Sequence, residues 1–176
     1  MHLQRYILQK YKKVSRMPNK NDKISALNLP AAQLRIKTEN GKQQVFDILR
    51  QRFVTLTPEE WVRQHFIHFL IEHKGYPAAL LGNEVPLQVG TMKKRCDTVV
   101  YGRDAQPAMI VEYKASHVEI TQAVFNQICR YNITLRVPYL IVSNGLQHFC
   151  CRVDYEKGTY SFLADVPSYG DISVER

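Results

Sequence analysis

The 176 residues, 45% hydrophobic and 23% charged, are enough for one well-packed core and too few for two comfortable ones, which excludes a wholly disordered polar chain. The net charge of +8 is concentrated at one end: residues 1–23 hold seven lysines and arginines against one aspartate, and the seventeen basic and fifteen acidic residues that follow nearly cancel. A basic isoelectric point therefore says little about nucleic-acid affinity of the folded part, and no apolar run approaches the roughly 18 residues that span a bilayer.

Residues 1–26 read as a basic, loosely ordered leader, with Met17 an alternative start and a phosphate-contacting arm the sharper alternative. Residues 27–169 read as a single domain and 170–176 as a tail. The first elements are an N-terminal β-hairpin, Gln33–Lys37 and Gln43–Leu56, around Asn40-Gly41, with a bend or bulge in the second strand near Leu49-Arg50-Gln51. Lys42, Arg50 and Arg52 could present a basic surface there. Thr57-Pro58-Glu59-Glu60 opens a helix: Thr57 caps it, Pro58 takes the first position and Glu60 closes a capping box. Val62, Phe66, Phe69 and Leu70 recur at helical spacing before Gly75 and Pro77 stop it. Trp61 reads as a core anchor. His65 and His68 read as flanking the apolar face, since no third ligand of the right kind accompanies them and His73.

A strand at Glu84–Val89 contains Pro86 and so belongs at an edge or a bulge. Lys93-Lys94-Arg95 then leads into Asp97, either as a solvated run or as a contact to the phosphate backbone. Two β-branched runs follow, Arg95–Tyr101 and Met109–Ala115, separated by a turn. Each carries a carboxylate where a buried strand should be apolar: Asp97 in the first, Glu112 in the second. Paired as a hairpin, the strands bring Asp97 beside Glu112, and strand alternation turns Lys114 to the face of Glu112. Two carboxylates so close favour a cation between them, and their oxygen donors suit Mg²⁺ or Mn²⁺ better than zinc. The plain alternative is an ion pair at a solvated strand end. Glu72-His73-Lys74 repeats the Glu-x-Lys spacing but sits at a helix end, where charges are expected.

Gln122–Leu135 is predicted as a helix with Val124, Ile128 and Tyr131 on one face, and Gln127 lies one turn from Tyr131. Val137–Val142 reads as a central strand, Gln147–Val153 and Thr159–Leu163 as a closing hairpin, and the last dozen residues as irregular. Of the adjacent Cys150 and Cys151, which face opposite ways, one should be buried. The four cysteines show no zinc spacing and fit a reducing cytoplasm. The fold class is α/β, with a mixed central β-sheet flanked by helices.

Asp97 followed by Glu112-x-Lys114 resembles the core of the PD-(D/E)xK phosphodiesterase superfamily, with Cys96 where the superfamily's name has proline. The chain is more closely similar to the N-terminal nuclease-like domain of type I restriction enzyme R subunits. That likeness is carried by Thr57–Gln64, Lys94–Asp97, Val111–Ala115 and Val137–Gly145, and covers roughly residues 27–169. The resemblance implies a helix, three strands, a helix and a strand around a metal-dependent DNA nuclease site. It implies Asp97, Glu112 and the Tyr113 backbone carbonyl as metal ligands, and Lys114 as the residue acting on the attacking water. It also implies a glutamate from the first helix, for which Glu60 is the candidate and Glu59 a substitute, although capping alone explains Glu60. Gln127 and Tyr131 match the Gln-x-x-x-Tyr element of some relatives, as a site residue and a substrate contact; a core role for Tyr131 is the alternative. Implied partners are DNA and other subunits of a restriction or DNA-processing complex. The rival readings are a non-catalytic nuclease-fold module for DNA or partner binding, and an interaction domain.

Overall fold

The computed structural model describes residues 26–89 and 91–173, so the basic leader expected at residues 1–26 lies almost wholly outside the described residues. The N-terminal strands form a sheet of their own, β1 (Ile36–Glu39), β2 (Lys42–Asp47) and β3 (Arg52–Thr55), in that spatial order. This corrects the expected two-stranded hairpin. The long second strand breaks into two at a turn where Asp47 accepts the N–H groups of Leu49 and Arg50 and Gln51 takes a left-handed φ of 52°. Asn40 and Gly41 (φ 50° and 72°) make the expected tight turn between β1 and β2.

Helix α1 (Pro58–Lys74) starts at the expected Thr57 cap, with the Glu60 N–H donating to Thr57 Oγ1 at 3.0 Å, but the expected capping box does not close, because the Thr57 N–H donates to the Thr55 carbonyl at 3.1 Å and arginines take up the Glu60 carboxylate. It ends at Gly75 in the left-handed region. Strands β4 (Leu81–Val89), β5 (Met92–Tyr101) and β6 (Pro107–Tyr113) follow, then helix α2 (Gln122–Leu135), then β7 (Tyr139–Ser143), β8 (His148–Asp154) and β9 (Thr159–Leu163). These six strands form one sheet in chain order, antiparallel except for the parallel β6–β7 pair that α2 connects. The sheet is therefore mixed, and β4 is an edge strand, which accommodates Pro86.

Both faces of the sheet are covered. Met109, Val111, Tyr113 and Ile141 pack with Trp61, Phe66 and Leu70 of α1, whereas Ile110, Leu140 and Val142 pack with Phe125 and Ile128 of α2. That two-sided cover buries both cysteines of the adjacent pair, Cys150 in the first cluster and Cys151 in the second, where the sequence predicts burial of one. The chain end also departs from expectation. Tyr169–Ser173 forms a short helix α3 whose Tyr169 and Ile172 enter the core beside Tyr76.

The turn after β7 anchors the segment that leads into the domain. Gly145 accepts the Asn28 N–H at 2.7 Å, and Asn28 in turn offers its carbonyl to His148 Nε2 at 3.0 Å, between the buried Leu27 and Leu29. His148 Nδ1 meets Ser143 Oγ at 2.8 Å. His65, expected at the margin of the α1 apolar face, is instead 1% exposed, edge-on to Trp61 and hydrogen-bonded to the Trp61 carbonyl. Burial lowers the basicity of both rings, to about 4 for each of His65 and His148. A base whose folded pKa is depressed contributes stability above its ordinary value of about 6.5 and loses it as pH falls toward the folded value. Urea midpoints should therefore drop steeply between pH 6.5 and 4, by several kcal/mol in all. His65→Gln should flatten that slope by about one proton, and an unchanged slope would show that the ring is solvated.

Candidate active site

Strands β5 and β6 pair with Thr98 opposite Val111, which brings Asp97 alongside Glu112 as the hairpin reading required. Asp97 Oδ2 accepts the Tyr113 N–H at 2.9 Å. A strand residue in a ladder turns its N–H and C=O toward the same neighbour, so the Tyr113 carbonyl, the expected backbone ligand, follows to the Asp97 side. Glu112 shares the α2 side of β6 with Ile110 and is only 4% exposed. Its Oε1 accepts from Lys114 Nζ at 2.7 Å and from Gln127 Nε2 of α2 at 3.0 Å. Four of the expected site residues, Asp97, Glu112, Lys114 and Gln127, are thus gathered in one place. Tyr131 lies on α2, but its side chain is outside the described residues.

The electrostatics follow from burial and crowding. Desolvation and then the charge of Asp97 raise the Glu112 carboxyl to about 7, against the opposing pull of Lys114. Desolvation also raises Glu59, followed by Asp97, with Arg63 and Lys114 working the other way. Burial opposes the charge on Lys114, but its bond to Glu112 and the surrounding acids outweigh that and raise its pKa. Glu59, Asp97, Glu112 and Lys114 therefore sense one another's charge. Glu60, the first candidate from α1, is engaged elsewhere: Arg63 Nη1 at 2.6 Å, Arg50 Nη2 at 2.9 Å and Gln64 Nε2 at 2.8 Å all donate to it. Adjacent helical residues differ by about 100° in direction, so of the two glutamates it is Glu59 that reaches the acidic cluster.

Arg63 is not singled out by sequence, and Arg50 only as part of a basic surface. Arg63 follows Glu59 and Glu60 by four and three residues, a spacing that signals helix-surface ion pairs, yet its side chain is 5% exposed and also reaches Asp97 Oδ1 at 3.1 Å. Arg50 rises from the β2–β3 turn, pairs with the fully buried Asp47 and continues to Glu60 and to Glu84 at 3.5 Å. Arg50 is therefore an internal tie, not part of a basic surface; Lys42 and Arg52 are exposed. Burial works against the charge on Asp47, but the Arg50 amide and guanidinium and the Asn83 amide outweigh it and hold its carboxyl below the usual range. Glu84, between Asn83 and Val85, which pair with Thr98 and Cys96 of β5, takes a left-handed φ of 53°, a conformation that costs a non-glycine residue about 1 kcal/mol or more.

Beyond Asp97 the β4–β5 pair continues past the last β6 pairing as an arm in which Pro86 faces Arg95, Leu87 faces Lys94 and Gln88 faces Lys93. Lys93, Lys94 and Arg95 are all exposed on it, and Arg95 reaches Glu84 at 3.1 Å. The α1 histidines do not gather: His65 lies in the core, His68 meets Glu72 and His73 stacks on Phe69. Among the described residues no group of three or more His, Cys, Asp or Glu side chains stands in the arrangement of a metal site. What converges is two carboxylates, both hard oxygen donors, with a third, Glu59, close enough to feel their charge.

A sequence profile described as type I restriction enzyme R protein N terminus matches residues 58–167. The chain belongs to this family. The match begins at the first residue of α1 and ends after β9, so this R protein N-terminal domain takes in the whole six-stranded sheet and both long helices. Among solved structures the domain is similar to a fragment assigned to an HsdR subunit of a type I restriction enzyme from Vibrio vulnificus YJ016, with a TM-score of 0.50 and 21% identity over 66% of this chain. That likeness is one of fold. The chain spans 24% of the length of that structure. No curated protein matches the chain significantly. Among the described residues, no helix of this R protein N-terminal domain is long and apolar enough to cross a membrane.

Proposed function

We propose that the chain is a Mg²⁺- or Mn²⁺-dependent DNA phosphodiesterase, the nuclease part of a type I restriction R subunit. One observation carries this reading: Glu112, buried and hard to ionise alone, lies beside Asp97 and against Lys114, an arrangement that a divalent cation stabilises and that a structural ion pair does not require. In this reading Asp97, Glu112 and the Tyr113 carbonyl hold the ion and Glu59 faces it from α1. A bound ion supplies Lewis-acid stabilisation of charge on the phosphate and eases deprotonation of a water. Lys114 orients the attacking water and takes part in its proton loss, while Gln127 fixes the Glu112 carboxylate through the bond that it donates. The arm with Lys93, Lys94 and Arg95 meets the phosphate backbone. DNA is then the substrate, and other subunits of the restriction complex are the partners.

A second reading, a nuclease-fold module that binds DNA or a partner without cutting, is favoured by Asp97 Oδ1 already being held by Arg63. Plasmid and linear DNA incubated with the purified chain over a range of Mg²⁺ and Mn²⁺ concentrations separate the two. We expect nicking by the parent chain, loss of nicking by about three orders of magnitude in Asp97→Ala, and DNA affinity within a few-fold of the parent. Nicking that survives in Asp97→Ala would rule out the proposed site. Absence of nicking by the parent, with DNA binding intact, would establish the binding module.

A further inference from the structure

Arg63 stands in an unusual setting for a helix-surface arginine. Its side chain is 5% exposed, and four carboxylates surround its guanidinium: Glu60 at 2.6 Å, Asp97 at 3.1 Å, Glu59 at 3.5 Å and Glu84 at 3.6 Å. Its Nε is buried with no hydrogen-bond partner among the described residues, so the group is not held by a complete set of its own bonds. The face of the Tyr113 ring lies 5.6 Å from Cζ. Acids drawn from α1, β4 and β5 would repel one another if this charge were absent. Arg50 shares Glu60 and Glu84 with it but makes no ion pair with Asp97 among the described residues, so Arg63 alone of the two joins that acidic group to the candidate site.

We propose that Arg63 is a built-in counter-cation: it keeps Glu59 and Asp97 assembled in the metal-free domain and competes with a divalent ion for the same carboxylates. The inference rests on the reading of Asp97 and Glu112 as a cation site. It assigns Arg63 a positioning role, since the guanidinium acts through the acids that it pairs with. Two positive charges at neighbouring positions in a poorly hydrated cluster oppose each other, so the affinity for the ion is set partly by Arg63. A carboxylate oxygen has lone pairs for both partners, so the competition is electrostatic and does not require Arg63 to leave.

The test uses the full chain, with Mn²⁺ as the probe, and measures binding by the loss of the free-ion electron paramagnetic resonance signal and melting temperature with and without the ion. Arg63→Gln should melt lower than the parent in chelator, bind Mn²⁺ about tenfold more tightly, and gain more melting temperature from it than the parent does. Arg63→Lys keeps the charge but loses the fork that spans Glu60 and Asp97, and should show a smaller rise of a few-fold. Arg50→Gln, which removes a guanidinium from Glu60 and Glu84 but not from Asp97, should melt lower with no rise in Mn²⁺ affinity. Equal or weaker Mn²⁺ binding in both Arg63 variants, or an equal rise in Arg50→Gln, overturns the proposal while leaving the site intact. If Arg63→Gln is unfolded in chelator, failure of Mn²⁺ to restore its circular dichroism, together with unchanged affinity in Arg63→Lys, overturns it as well. No Mn²⁺ binding by the parent chain, with Asp97→Ala indistinguishable from it, removes the cation site and the proposal with it.

Discussion

Glu112→Gln is expected to raise metal-free stability at pH 8 and to lower nuclease activity by about three orders of magnitude. The Glu112 carboxyl is raised to about 7 from an ordinary value of 4.5, by burial first and Asp97 second. A carboxyl so raised contributes fully to stability only below its unfolded pKa and loses that contribution as pH climbs through the folded value, so the folded domain at pH 8 carries an unfavourable charge. Glutamine removes the charge and still accepts a hydrogen bond from Lys114 through its amide oxygen, while Asp97 and Glu59 remain as counter-charges for the lysine. The gain should be about 2 kcal/mol at pH 8 and should vanish below about pH 4, under the unfolded value, where the carboxyl is protonated in the folded and unfolded states alike. Thermal melts in chelator at the two pH values, run beside plasmid nicking in Mg²⁺, check both signs. A variant that melts no higher at pH 8 than the parent would show that Glu112 is comfortably paired and has no need of a cation.

Gly145→Ala is expected to destabilise the domain by about 3 kcal/mol. Gly145 has a φ of 80°, and a Cβ built there would stand 2.6 Å from Leu27 Cδ2 and 3.2 Å from Val62 Cγ2. The left-handed backbone costs a residue with a Cβ about 1 kcal/mol, and pushing Leu27 aside in a filled core adds about 1–3 kcal/mol. Urea unfolding measures the sum, and a double-mutant cycle with Leu27→Ala apportions it: trimming Leu27 should recover the clash but not the backbone cost. A midpoint unchanged by Gly145→Ala would mean that Leu27 is not seated against this turn.

What the sequence carries without help is local or periodic. Thr57, Pro58 and Gly75 set the ends of α1, the apolar spacing of Val124 and Ile128 sets α2 at Gln122–Leu135, and the β-branched runs set β5 and β6. Because these two strands pair directly, Asp97 meets Glu112 through a short-range turn, and Lys114 follows by alternation. The rest depends on contacts distant in the chain. Whether Glu59 or Glu60 faces the site depends on the rotation of α1 about its axis, which is set by packing against β6 and by the hold of Arg50 and Arg63 on Glu60. Arg50 reads as part of a basic hairpin surface, and Asp47 carries no signal of its own, because nothing nearby in sequence shows that the β2–β3 turn meets α1 and β4. His65 stands between Gln64 and Phe66 in a helix rich in charge, and only the closure of the sheet over α1 makes it a core residue.

The two margins of the six-stranded sheet are not alike. On one side β4 carries Pro86, which lacks an amide proton, and the left-handed kink at Glu84; on the other, β9 is a regular strand that, among the described residues, pairs with β8 alone, and Tyr160 on it is 60% exposed. Growth of this sheet by strand addition is therefore directional: a polypeptide that lengthens it must dock alongside Thr159–Leu163, at the far side of the sheet from the β4–β5 arm.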